Sequence, residues 1–424
     1  MHWWKRINPT SSNGVWTSRS DAIRCLPTIP GGLWVAVAAL LLACAVACVP
    51  EQTESSDPPD GRAAFSNDLP PLESDYHTNG EPWGFIDRTG NMVIPARFDE
   101  VRSFSEGRAA VRLGGKWGYI DEAGTTVVPC RFRAAWPFRD GRARVQVFPD
   151  SMGFIDRDGH WLIPPTLAEA TDFSEGLARF RQGAYYGFMD TSGQVVIPAR
   201  FPSAAGRFES GFARVLDEAG VYLIDRAGRP LPTPKLADVW PPAEGRIRYR
   251  TAQGYGFLDS SGQVVIPAAF ERVGDFRDGR APARQEGRWG LLSSQGSWAV
   301  KPRYERLWVM GAGRWGATET GKSGGIDSAG RRVIPFLYSQ LYPFSEGLAP
   351  YRRDGLWGYL DREGREVTGA IFGLAWPFRE GLARVAAYEG LVMIDVAGRL
   401  VIPPNFWDLR DFSEGLAPAQ PKKR

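Results

Sequence analysis

The feature that most constrains this chain is a stretch that keeps returning: Trp83-Gly84-Phe85-Ile86-Asp87-Arg88-Thr89-Gly90-Asn91-Met92-Val93-Ile94-Pro95. Counted on its Asp, the aligned position falls at Asp87, Asp121, Asp156, Asp190, Asp225, Asp259, Ser293, Asp327, Asp361 and Asp395, so ten copies follow one another 34 or 35 residues apart. A fixed period of this size marks a solenoid, a propeller or an array, in which each unit buries its apolar faces only against its neighbours. Length alone would suggest two or three separate domains, and the repeat overrules that count.

Each copy opens with a run such as Trp117-Gly118-Tyr119-Ile120, apolar on both alternating faces, which reads as a strand covered on two sides. Asp-x-x-Gly follows, and its Gly is present in all ten copies, from Gly90 through Gly193 to Gly398. The carboxylate accepts from backbone amides just ahead of it and Gly takes positive φ freely, so the motif predicts a type I turn closed by a left-handed residue. A second strand, as in Val195-Val196-Ile197, ends at a Pro that removes a ladder donor. The third segment reads Phe-Ser-Glu-Gly-Leu-Ala or close to it, at 173–178, 344–349 and 412–417, and supplies another turn and a third short strand. Nothing in the unit reads as a helix.

The recurring Trp/Tyr-Gly-Phe/Tyr-Ile-Asp, Val-Ile-Pro and Phe-x-Glu-Gly-x-Ala motifs resemble the WG-repeat family of bacterial proteins over residues 81–419. The resemblance implies an all-β repeat scaffold without a common enzymatic activity, often in envelope or secreted proteins. The expected fold is therefore ten three-stranded β-repeats of about 34 residues. A propeller blade usually has four strands and a closed ring often splits one blade between the termini. Here the first copy starts with its first strand and the last ends after its third, which favours an open superhelical β-solenoid, the alternative being a closed propeller-like ring.

Ahead of the array, residues 1–47 read as a signal peptide whose apolar run covers 33–47. Leu41-Leu42-Ala43-Cys44-Ala45-Val46-Ala47-Cys48 resembles the lipobox of bacterial lipoproteins. Cys48 is the expected lipidation site, because the polar linker begins only behind it; Cys44 is the alternative, and an uncleaved membrane anchor is the competing reading. Residues 48–80 read as the lipid-anchor Cys and a disordered acidic linker, with seven acidic residues against Arg62, and 420–424 as a short basic tail. After residue 47 the chain carries 47 basic and 47 acidic residues, which gives no electrostatic argument for nucleic acid. Localisation is expected in the cell envelope, on a membrane facing the periplasm or exterior.

No catalytic constellation, metal site or cofactor is expected. His2, His77 and His160 fall in the leader, the linker and a turn, and one Asp per turn is far from the six to eight oxygens calcium takes. The repeated Glu or Asp of Phe-x-Glu-Gly, including Glu106, Glu346 and Glu380, forms a solvated ladder paired with Arg108, Arg142 and Arg280. The candidate partner site is the seventh copy, which has lost its Asp and its Phe-x-Glu-Gly. There Trp298, Trp308 and Trp315 join Arg303, Arg306 and Arg314, and Trp315 stands where other copies carry Ala. A large aromatic at an Ala position either overpacks or faces outward, and outward Trp beside Arg suits a protein groove or a sugar face; the alternative is that Trp315 fills space vacated by the absent Phe, near Met310. The fifth copy also departs, with Val221-Tyr222 for Trp-Gly and Pro230-Leu231-Pro232-Thr233-Pro234 for the second strand. The expected function is a non-catalytic binding or scaffolding surface for a protein or cell-wall glycan, against an envelope-polymer hydrolase or a purely structural spacer.

Overall fold

The computed structural model of the protein describes residues 80–422, and every regular element among them is a β-strand. The leader, Cys44, Cys48 and most of the linker lie outside the described residues. The strands form ten antiparallel sheets, nine of four strands and one of three. The first blade runs Glu100–Val101, Ala109–Leu113, Lys116–Ile120 and Thr126–Phe132, and the later blades repeat that order along the chain.

The blade frame is offset from the sequence repeat by half a unit. The Trp-Gly and Val-Ile-Pro strands of one copy are the third and fourth strands of a blade whose first two belong to the preceding copy. The chain ends therefore hold half a blade each: Trp83–Ile86 and Met92–Phe98 at one end, Phe406–Leu409 and Ala417–Pro421 at the other. They join in the tenth blade, where Gly84, Phe85 and Ile86 pair with Ala419, Pro418 and Ala417. The array is thus a closed propeller-like ring, and the open solenoid favoured by the sequence is corrected. Termini that look complete in the Trp-first frame are complementary halves in the structural one.

The three-stranded unit is corrected as well, because each blade begins with a strand of only two residues in most copies, such as Glu100–Val101, Ala134–Ala135 and Glu169–Ala170. Such a strand is too short to show a period. Its trace is the buried aliphatic residue fourteen after the Asp position, as at Val101, Ala135, Val239, Val273 and Leu307.

Two glycines of the repeat have different physical reasons. The Asp-x-x-Gly glycine sits at φ between 76° and 90° in all ten copies. It also lies against the neighbouring blade: a Cβ on Gly193 would come 3.2 Å from Ile163, and one on Gly124 3.0 Å from Ile94. The Trp-Gly glycine is required by backbone. Trp117 pairs with Phe132 and Tyr119 with Val128, so the fourth strand bulges over Gly118, and a Cβ there would stand 2.4 Å from the Val128 carbonyl oxygen. In the fourth blade the fourth strand is missing, as the proline run implies. There Tyr222 occupies the glycine slot, and the Pro232 carbonyl lies against Gly262 of the next blade in place of the usual Ile.

Neighbouring blades meet through aromatic pairs. The residue two after Trp packs edge-on against the Phe of the next blade's Phe-x-Glu-Gly, at 5.0 Å between centroids for Phe85–Phe104, 4.9 Å for Tyr119–Phe138 and 4.8 Å for Phe257–Phe276. Such pairs contribute about 0.5–1.5 kcal/mol each beyond their burial. The fourth strands are exposed edges, and the Pro within most of them interrupts the row of donors that would template pairing with another chain.

Candidate functional site

The repeated carboxylates are engaged in holding the ring, and the geometry shows how. In an antiparallel four-stranded blade the first and third connections fall at one end, so the Glu-Gly and Asp-x-x-Gly turns share one face. Each turn Asp caps its own loop: Asp190 Oδ1 accepts from the amides of Ser192 at 2.9 Å and Gln194 at 3.0 Å, two and four residues on. Where Ser293 replaces Asp, its hydroxyl accepts from Gln295 N at 3.3 Å and meets Ser297 Oγ at 2.8 Å.

The Glu of Phe-x-Glu-Gly adopts positive φ, as do Glu106 at 56° and Glu380 at 51°, a conformation uncommon for a side-chain-bearing residue. With the following Gly also left-handed, the two form a tight two-residue hairpin turn. The longer carboxylate then reaches the next blade's turn. Glu346 accepts from the amides of Glu380 at 2.6 Å and Gly381 at 2.7 Å, Glu380 from Glu414 and Gly415, and Glu414 from Glu106 at 2.6 Å and Gly107 at 2.8 Å. Glu106 continues to Gly141 at 2.8 Å. This unbroken run crosses the seam where the two chain ends meet. Asp140 and Asp278, one methylene shorter, make no such bond among those formed by the described residues, and Ser210 and Ala312 carry no carboxylate at the same position. The preceding Ser repeats the idea, with Ser105, Ser345 and Ser413 each donating at 2.7 Å to the next blade's Phe carbonyl.

The expected pairing with Arg108, Arg142 and Arg280 is corrected. Those side chains donate to the turn carbonyls of Arg157, Thr191 and Ser328. The partners of the Glu ladder are the arginines that follow the turn Asp: Arg88 meets Glu380 at 3.0 Å and Arg157 meets Glu106 at 2.9 Å.

These contacts set a pH dependence. Burial pushes the Glu106 and Glu380 carboxyls up, but hydrogen bonds from Arg157 or Arg88 and the turn amides outweigh it, and both sit below the ordinary carboxylate range. Asp87 and Asp190 are lowered chiefly by the hydroxyls of Thr89 and Ser192. A carboxyl lowered in the fold binds fewer protons than in the unfolded chain, so its stabilisation is present above its unfolded value and lost as pH falls through its folded one. Asp408, raised by burial, runs the other way. The midpoint of urea unfolding should therefore be flat from neutral down to about pH 5 and decline steadily below it. A midpoint that holds to acid pH would remove the carboxylates from the account.

The seventh-copy cluster is not brought together as expected. Trp315 is 1% exposed, so its outward orientation is overturned. It packs with Leu291 and Tyr304 of the preceding blade and with Ile326 of the adjoining strand. Trp308 fills a regular slot, the one held by Trp136, Trp240 and Trp376 in other blades. In those blades an arginine stacks on the ring, with Arg144, Arg248 and Arg384 at 4.0, 4.2 and 4.3 Å; in the seventh blade the arginine position is Gly316, and the Trp308 ring lies directly over it. Trp298 belongs to the preceding blade, edge-on to Phe270 at 5.6 Å. Arg303 stacks on Tyr304 at 4.8 Å, Arg314 is half-buried and Arg306 is exposed.

What the sequence missed is the arginine relay between blades. Arg248, 2% exposed, stacks on Trp240 and reaches the Val273 carbonyl at 3.3 Å and Asp275 at 3.5 Å on the next blade. Arg144 makes the equivalent ion pair with Asp172 at 3.0 Å. The signal was an Arg one residue after the strand's first Ala or Ile, in phase with a Trp eight residues before it. Asp156, Asp158 and His160 bring three ligand atoms within 4.8 Å of one another, but Asp156 Oδ1 already caps the amides of Asp158 and His160.

Solved structures match the chain at low identity. BamB from Moraxella catarrhalis matches 61% of this chain and 95% of its own, at 12% identity and TM-score 0.34. A eukaryotic initiation factor matches 81% and 99%, at 12% identity and TM-score 0.42. Kluyveromyces lactis Hsv2 matches 52% and 89%, at 10% identity and TM-score 0.29. No curated protein matches the chain. The family model described as "WG containing repeat" matches residues 83–117, 117–147, 152–186, 186–218, 255–289, 324–357, 357–386 and 393–421. The two longest gaps, 219–254 and 290–323, cover the copies whose motifs depart from the pattern. With more than half of its length matched in this way, the chain belongs to the WG containing repeat family.

Proposed function

We propose that this protein is a lipid-anchored component of the cell envelope whose ring is a non-catalytic binding or scaffolding surface for a protein or a cell-wall glycan. The observation that carries the reading is the engagement of the recurring polar side chains. The turn Asp residues cap their own loops, the turn Glu residues clasp the next blade, and several strand Arg residues bridge blades. A side chain held in this way serves rigidity rather than chemistry, and a rigid ring with ten sets of exposed hairpins offers an extended contact surface. The anchor rests on the sequence of the leader and its Cys48.

Two measurements test the reading. Radiolabelled palmitate should enter the chain and be lost in Cys48→Ser; loss only in Cys44→Ser would move the anchor, and no incorporation would remove it. The full chain should be retained on purified sacculi or cross-linked to an envelope protein without releasing soluble glycan. Release of glycan fragments would favour the hydrolase, and neither retention nor cross-linking would leave the structural spacer.

A further inference from the structure

The two faces of the ring differ in chemistry. On the face of the Asp-x-x-Gly turns, the two central turn residues are polar or Ala in every copy except Val396. The opposite face is made by the hairpins between second and third strands and by the crossovers between blades. It exposes large apolar side chains on seven consecutive blades: Leu356, Tyr388, Trp407, Leu113, Phe148, Tyr185 and Leu216. Phe148 is 67% exposed, Trp407 55% and Tyr388 fully exposed. The fifth, sixth and seventh blades do not continue the arc at their hairpin tips, which carry Thr251 and Gln253, Glu286 and Arg288, and Thr320 and Lys322.

The arc takes in the place where the chain ends leave the ring. The tenth blade has no hairpin on this face; its second strand ends at Pro421 and its third begins at Trp83. Gln420 Nε2 donates to the Glu81 carbonyl at 2.6 Å, tying the chain that leads back towards the leader to this face. Beside it the Lys422 ammonium stands 5.4 Å over the Trp407 ring and donates to the Pro404 carbonyl at 2.9 Å. Lys422 is followed in sequence by Lys423 and Arg424.

We propose that this arc docks the ring onto the surface of a lipid bilayer. The inference rests on the reading of the leader as a membrane anchor and adds an orientation to it. Phe, Tyr and Leu at the hairpins of successive blades, with Trp407 and a basic residue beside a crossover between them, match the interfacial zone, where amphipathic rings sit at headgroup level and Lys or Arg meet phosphate. The attachment point selects the occupant. An anchor drawn from Glu81 brings this face nearer the bilayer than any other, so the apolar tips meet lipid at high local concentration. The acidic linker read from the sequence at 48–80 leaves the ring free to rest on the membrane.

The test is photo-crosslinking of the full chain reconstituted in phosphatidylethanolamine–phosphatidylglycerol vesicles that carry tritiated phospholipid. The photoreactive residue p-benzoyl-phenylalanine replaces Phe148, Tyr388 or, on the opposite face, Thr89. Lipid label should be transferred at positions 148 and 388 and not at 89, and the double substitution Phe148→Glu with Tyr185→Glu should suppress transfer at 388. Equal labelling on both faces, or none at 148 and 388 while the chain floats with the vesicles, would overturn the docking and leave the anchor standing. A chain that takes up no palmitate but labels at 148 and 388 would retain the docking and remove the anchor. Crosslinks at 148 and 388 between two copies in place of lipid would assign the arc to self-association and also overturn the proposal.

Discussion

Gly118→Ala should lower the unfolding free energy by about 3 kcal/mol, at the top of the usual range for overpacking, because the new methyl meets main chain on three sides. A Cβ at this position would lie 2.4 Å from the Val128 oxygen, 2.7 Å from Cys130 N and 2.8 Å from the Pro129 carbonyl carbon. None of these atoms belongs to a side chain that can turn away, so the fourth strand must leave the third or the blade must open. Gly193→Ala is the informative comparison. Its cost comes from a φ of 86° and from contact with Ile163, a side chain that can give, and about 2 kcal/mol is expected. Denaturant melts of the two variants beside wild type give both numbers. An unchanged midpoint for Gly118→Ala would contradict the bulged pairing that defines the blade.

The second large effect is expected from removing either half of the tenth blade. Deleting Phe406–Arg424 takes away the buried Phe406, Leu409, Phe412, Ala417 and Ala419, together with the strand that pairs with Trp83–Ile86. It also removes Glu414, whose carboxylate holds the Glu106-Gly107 turn of the first blade, and Arg410, which donates to the Val101 carbonyl at 2.7 Å. An open array loses an end unit and keeps a cooperative, lower melt. A ring loses closure, exposes two blade faces at once and should show no cooperative thermal transition by circular dichroism. Deleting residues 81–98 should have the same effect, since the two segments are halves of one sheet. A truncated chain that still melts cooperatively would restore the open array.

The local structure of this protein was legible in its sequence and its global closure was not. The Asp-x-x-Gly hairpin could be read because a single short motif carries both the capping carboxylate and the positive-φ residue. The missing fourth strand at Pro230–Pro234 could be read because proline removes donors whatever its surroundings. The closed ring escaped because closure depends on which strands share a sheet, and a repeat looks the same wherever its frame begins. The reading of Glu106 as a solvated ladder failed for a related reason: its partners are amides in the next blade, about 34 residues away in sequence. Trp315 misled because an Ala-to-Trp change was judged within its own strand, when the residues that bury it, Leu291 and Tyr304, belong to the preceding blade. Trp308 would have been placed correctly by aligning it with Trp136, Trp240 and Trp376.

Class averages of the purified full chain by electron microscopy test the closed ten-bladed ring most directly. The account predicts an uninterrupted ring of ten lobes viewed face-on. An open, curved rod, or a ring of another blade number, would contradict it.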